Sequence, residues 1–228
     1  MLIKKVEDYN IPDEYKNIIK DFYKKTLESL KEKILLFIIG GSCGREAVHR
    51  GWSDIDILIV LKEYKYNYVK ELQKFILAYP IKVGTTIYSQ KEFEAGRIDG
   101  KTMYSMYLLE NNILKANYYN ENLKLPIVTI KMLQDNDSRM ILEAEHKLKR
   151  LLHDINLDKK SIIKTLTLIM KVNLIKKDII PTKYEDIFYD FAEQFNIQHY
   201  DISKDLNKDE IKEELILYAI KVIELISN

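Results

Sequence analysis

Two aspartates stand two residues apart in an otherwise apolar run, Ser53-Asp54-Ile55-Asp56-Ile57-Leu58-Ile59-Val60. On a strand, positions two apart point to the same face, so Asp54 and Asp56 share one. Carboxylates held that close repel each other unless a cation lies between them. Hard divalent ions such as Mg²⁺ take oxygen pairs of this kind and keep open positions for phosphate oxygens. Upstream lies Gly40-Gly41-Ser42-Cys43-Gly44-Arg45. A strand that ends in Gly-Gly-Ser offers backbone N–H groups and a hydroxyl, with no Cβ to block an incoming phosphate. A phosphate cradle beside metal-binding carboxylates equips a site for metal-assisted phosphoryl or nucleotidyl transfer. The plainer reading makes the glycines a tight turn and the aspartates solubilising charges on an edge strand. Ile55, Ile57, Leu58 and Ile59 weigh against it, because unpaired carboxylates in such a strand are costly.

The elements that must position these residues follow from periodicity. Residues 12–33 read as an amphipathic helix, opened by Pro12 and Asp13, with Tyr15, Ile18, Ile19, Phe22 and Leu30 at helical spacing. Ile34–Ile39 is a continuous apolar run stopped by Gly40-Gly41, which suits a buried strand. Ile55–Leu61 reads as a second strand, 66–79 as a helix, and 81–88 as a β-branched strand introduced by Pro80. Beyond about residue 125 the apolar residues fall into helical period. One helix is expected from Asp137 or Ser138 to about Asp154, burying Ile141, Ala144, Leu148, Leu151 and Ile155. Others are expected near 160–178, 184–195 and 208–226, the last with Ile211, Leu215, Tyr218, Val222 and Leu225 on one face. The fold expected is therefore α+β. Residues 1–125 form a mixed β-sheet with flanking helices, and residues 126–228 an all-α C-terminal helical bundle.

Composition narrows the function classes. The chain has 228 residues, enough to bury a substantial core. Its 36 Lys plus Arg against 35 Asp plus Glu give a net charge of +1. That balance provides no extended nucleic-acid surface and no pull toward acidic membranes. A single cysteine, Cys43, excludes an internal disulfide framework and a multi-thiolate zinc site, and suits a reducing, cytoplasmic setting. No apolar run reaches the roughly 18–20 residues of a spanning helix, and Met1–Lys5 turns polar without a signal-peptide core.

The Gly-Ser after one strand and the Asp-x-Asp on the next resemble the signature of the DNA-polymerase-β-like nucleotidyltransferase superfamily. Within it the chain is similar to small bacterial aminoglycoside-, lincosamide-type or minimal nucleotidyltransferases, which pair a catalytic sheet with a helical C-terminal domain. The resemblance covers residues 30–90 well and the helical half in outline. It implies that Gly41 and Ser42 hold the distal phosphates of a nucleotide, that Asp54 and Asp56 are catalytic and bind the metal, and that Arg45 and Ser53 support the loop and the phosphates. It further implies Mg²⁺ or Mn²⁺ as cofactor and a nucleoside triphosphate, ATP among them, as substrate. The acceptor would be a small molecule or a protein, and homodimer formation is left open.

One departure matters. Active members place a third carboxylate on the following strand, and here that strand reads Lys82-Val83-Gly84-Thr85-Thr86-Ile87-Tyr88. The expected acid falls at about Gly84. Glu92, Glu94, Glu143 and Glu145 are candidate substitutes. Arg139, Glu143, His146, Arg150 and His153 share one helix face, either a solvated face or a cleft lining in which Glu143 or His146 serves as base. The alternative to an enzyme is a nucleotide- or partner-binding module, antitoxin-like or regulatory, that has lost turnover. Cys43 is better explained by packing than as a nucleophile, since no His or Asn pattern supports it. Trp52, His49 and Arg50 either stack on a base or cover the core.

Overall fold

The computed structural model describes residues 2–154, 158–206 and 211–227, with the backbone alone at 137–140, 204 and 227. The chain divides into two compact units, Met1–Thr129 and Ile130–Asn228.

The first unit is built on a four-stranded mixed sheet. Its strands are β1 (Ile34–Ile39), β2 (Ile55–Leu61), β3 (Val83–Ser89) and the two-residue β4 (Tyr118–Tyr119), in spatial order β3-β2-β1-β4. β2 runs antiparallel to β1 and parallel to β3, and β4 is antiparallel to β1. All six residues of β1 are buried, as its unbroken apolar sequence requires of a strand covered on both faces. One face, carrying Phe37, Ile39, Ile55, Ile57 and Ile59, packs on the apolar stripe of α1 (Asp13–Leu30), including Tyr15, Ile18, Ile19 and Phe22. Phe37 meets Tyr23 edge-on at 4.8 Å and Phe22 at 6.2 Å. Leu72 of α3 (Tyr66–Ile76) joins the same cluster. The short α2 (Gly41–Gly44) follows β1 directly, and α4 (Gln90–Glu94) follows β3. The helix α5 (Gly100–Glu110) lies over the other face, where Leu58 and Thr86 share a cleft with its Lys101, Thr102 and Ser105.

Asn117 ties the distant parts of this unit together. Its Oδ1 accepts the Ile39 N–H at 2.9 Å, at the very end of β1. Its Nδ2 donates to the Lys4 carbonyl at 2.8 Å and to the Tyr9 hydroxyl at 3.3 Å. Its own carbonyl accepts from the Tyr23 hydroxyl. A buried amide with every group engaged fixes one arrangement of its neighbours.

Among its described residues the second unit contains only helices: α6 (Ile130–Leu152), α7 (Lys159–Ile175), α8 (Tyr184–Gln194), the four-residue α9 (Ser203–Leu206) and α10 (Glu213–Ser227). α7 is the central one, with Ile162, Ile163, Leu166, Ile169 and Met170 fully buried. α8 contributes Phe188 and Phe191, and Phe188 stacks on Tyr218 of α10 at 5.8 Å. The buried Lys159 ammonium donates to the Asp205 carbonyl at 2.6 Å and lies 3.5 Å from its carboxylate, onto which Tyr200 also donates.

The start of α6 corrects the sequence expectation. Asp137 and Ser138 do not open this helix; it begins seven residues before Asp137, at Ile130. Lys131, Met132, Leu133 and Gln134 are all good helix formers, and burial of Leu133 draws the extra turns onto the core. The side chains of Asp137, Ser138 and Arg139 lie outside the description, as does Ile155, and so does the expected start of the last helix at 208. Among the described residues no helix is long and apolar enough to cross a membrane.

Candidate active site

The site is assembled where β1 ends against β2. The Gly40 N–H donates to the Asp56 carbonyl at 2.7 Å, which fixes the turn to the neighbouring strand. Gly41 then adopts φ +56°, in the left-handed region that favours glycine. An ideal Cβ on Gly41 would lie 2.2 Å from Asp56 Oδ2, so the Asp56 carboxylate packs directly on the glycine backbone. Gly44 closes the turn behind it: a Cβ there would meet the Ile39 carbonyl oxygen at 2.1 Å. The Gly-Gly-Ser-Cys-Gly run therefore wraps the end of β1 so tightly that side chains are excluded at both places.

The other oxygen of Asp56 has different neighbours. The β2–β3 register sets Gly84 opposite Asp56, and a Cβ on Gly84 would stand 3.5 Å from Asp56 Oδ1. The Lys101 ammonium donates to that same Oδ1 at 2.6 Å. Asp56 is about a quarter exposed and Lys101 more than half, so the pair is open to solvent at the mouth of the cleft. Gly40, Gly41, Thr102 and Ser105 complete the lining.

A family model described as a nucleotidyltransferase domain matches residues 23–218. The chain belongs to the nucleotidyltransferase family. The match runs from the middle of α1 into α10 and so takes in both units, and it carries the general activity of nucleotidyl transfer. No curated protein matches the chain.

Within this nucleotidyltransferase the remaining candidates fall as follows. Asp54 is half-buried, one residue before β2. Ser42 lies in α2, and its carbonyl accepts the Ala47 N–H at 2.9 Å. Arg45 follows α2 and is half-buried. Ser53 is buried with its hydroxyl accepting the His49 N–H at 3.0 Å, and its carbonyl accepts from Tyr15 at 3.1 Å. Its hydroxyl thus braces the loop between the two motif halves. Trp52 is buried and covers the core, whereas Arg50 is exposed and pairs with Glu14 at 3.1 Å. Cys43 is fully buried; burial first, and the Asp56 charge second, push its thiol up to about 12. Such a thiol packs and does not attack.

The substitute acids separate into two kinds. Glu92 closes a capping box with Ser89 at the start of α4, which holds its carboxyl below the usual range. Glu94 accepts from Gln90 and from the Lys124 N–H, and its carboxyl is lowered for that reason. Both carboxylates serve local structure. Glu143 and His146 are exposed on α6, and Glu145 is half-buried there. Glu143 lines a groove with Lys147, Arg150 and Lys164 between α6 and α7.

The donor set bears on the metal. Among the described residues no group of three His, Cys, Asp or Glu side chains is arranged to hold an ion. Mg²⁺ needs only one or two carboxylates when phosphate oxygens and water complete its shell. Asp56 supplies one carboxylate at the cleft, and Asp54, two residues earlier in the chain, is the other candidate. Lys101 is the residue at this cleft that sequence reasoning missed. Its one available signal was the Asp99-Gly100 start of α5, where Asp99 accepts the Thr102 N–H at 2.7 Å as an N-cap.

Proposed function

We propose that this protein transfers a nucleoside monophosphate from a nucleoside triphosphate to an acceptor hydroxyl, aided by a divalent ion. The acceptor oxygen forms a bond to the α-phosphorus, the bond to the bridging oxygen breaks, and pyrophosphate leaves with that electron pair. The packing of the Asp56 carboxylate on the Gly41 backbone supports this reading, because it brings the acid proposed for the metal against the backbone proposed for the phosphates. Asp54 and Asp56 would hold Mg²⁺ or Mn²⁺, which polarises the phosphate oxygens when bound. Gly41 and Ser42 would take the distal phosphates through their N–H groups and hydroxyl, and Arg45 would neutralise them. The acceptor is a small hydroxylated molecule or a protein side chain. The proton of that hydroxyl passes to solvent water, since Glu92 and Glu94 are committed to capping and loop contacts.

A thermal-shift panel of the four nucleoside triphosphates, with and without Mg²⁺, tests the reading. A bound nucleotide stabilises the fold by about 2.7 kcal/mol at a hundredfold excess over Kd. The Asp54→Asn/Asp56→Asn protein should keep its unliganded melting temperature and lose the Mg²⁺-dependent shift. An equal shift in both proteins would rule the assignment out.

Gly84 opposite Asp56 favours a second reading, a nucleotide binder without turnover. Nucleotide affinity with no pyrophosphate release, across hydroxylated acceptors and in the presence of Mg²⁺ and Mn²⁺, would establish it.

A further inference from the structure

We infer that Lys101 stands in for a second metal ion, so that the site works with one divalent cation per chain. The inference rests on the nucleotidyl-transfer reading and concerns how the site is charged. A second ion in a two-metal site needs an oxygen shared with the first and a further acid beside it. Asp56 Oδ1 is the oxygen on that side, because it is the one that faces β3 at Gly84. An acid at position 84 would reach the shared ion, and the chain has a glycine. On the same oxygen the structure places an ammonium group, at 2.6 Å. Oδ2 faces the other way, toward Gly41, and stays on the phosphate side. The two oxygens thus have different neighbours, the Gly41 backbone for Oδ2 and the Lys101 ammonium for Oδ1. In total charge, two aspartates with one lysine and one divalent ion equal three acids with two divalent ions.

Lys101 is also held in place. Its carbonyl accepts from the Ser105 hydroxyl at 3.0 Å within the first turns of α5. The start of that helix is fixed by Tyr88 of β3, whose hydroxyl accepts the Asp99 N–H at 3.0 Å and lies 3.3 Å from the Thr102 hydroxyl. The strand that lacks the acid therefore anchors the helix that brings the lysine. An ammonium has three donors and no acceptor, so beyond its bond to Oδ1 it has hydrogens for phosphate oxygens. A lysine thereby supplies the positive charge without any further carboxylate ligand.

Mn²⁺ titration of the whole chain with a non-hydrolysable α,β-methylene nucleoside triphosphate tests this, free Mn²⁺ being counted by its paramagnetic resonance signal. One bound Mn²⁺ per chain is expected for the wild type. Lys101→Ala should still bind one, with analogue affinity lower by about tenfold or more, the effect of losing a charge-assisted hydrogen bond. Lys101→Ala/Gly84→Asp should bind two. Two Mn²⁺ in the wild-type complex overturn the role of Lys101 and leave nucleotidyl transfer standing. A wild-type chain that takes up neither analogue nor Mn²⁺ overturns both. One Mn²⁺ with unchanged analogue affinity in Lys101→Ala also overturns the role of Lys101, so the outcome does not depend on the double variant folding.

Discussion

Replacing Gly41 by alanine isolates the contact on which the site is built. Two penalties arise together. A residue with a Cβ held at φ +56° pays roughly 1–2 kcal/mol for the left-handed conformation. The new methyl would also stand 2.2 Å from Asp56 Oδ2 and 3.0 Å from its Cγ, so the carboxylate has to turn away. That displacement carries Asp56 off the phosphate side. Gly84→Ala is the matched control, because its Cβ meets Asp56 Oδ1 at 3.5 Å, an ordinary contact, from a strand position. Urea unfolding should therefore place Gly41→Ala roughly 1–3 kcal/mol below wild type, and Gly84→Ala within about 0.5 kcal/mol of it. Mg²⁺-dependent nucleotide binding, followed by calorimetry, should weaken at least tenfold in Gly41→Ala and change little in Gly84→Ala. Equal stability and equal affinity for the two variants would refute the reasoning, since the close approach would then constrain nothing.

Other outcomes follow from features away from that contact. Lys159→Ala leaves Asp205 buried without its cation and should lower stability by about 3–5 kcal/mol, read from the urea midpoint; a loss below 1 kcal/mol or so would show that the pair is not desolvated. Burial raises Tyr9 from near 10 to about 12 and Cys43 from near 9 to about 12. The unfolded chain releases these protons first, so stability is complete below about pH 9 and falls as pH rises toward 12. Urea midpoints at pH 8 and pH 10.5 should show the fall, with a shallower slope in Cys43→Ala, and an unchanged slope would contradict it.

The strands that carry the motif were legible because they are apolar runs with hard stops. Ile34–Ile39 and Ile55–Leu61 are bounded as the sequence implies, by Gly40 on one side and by the acids around Ile55 on the other. The third strand begins at Val83 rather than Ile81, and its register with β2 puts Gly84 where an acid was expected. The region from 90 to 119 was not legible. Its buried residues in α5, Thr102, Tyr104, Met106, Leu108 and Leu109, recur largely at every second position and blur the helical period. β4 has two residues, too few to carry a pattern. Lys101 could not be found by spacing, since it meets Asp56 from 45 residues away through the packing of α5 on the sheet. Tertiary placement of a charged side chain leaves no periodic trace in sequence.

Asn117 has a consequence for the chain as it is made. The Ile39 N–H, the last amide before the glycine loop, is held by a side chain 78 residues further on. The same side chain also reaches back 113 residues to Lys4. At synthesis rates of roughly 5–20 residues per second, the loop waits about 4–16 s after its own emergence for this partner to be made. Closing so long a segment is entropically demanding and cannot be replaced by local contacts. A nascent chain can therefore pair β1 with β2 as soon as both are made, but the end of β1 gains its side-chain brace only when Asn117 follows.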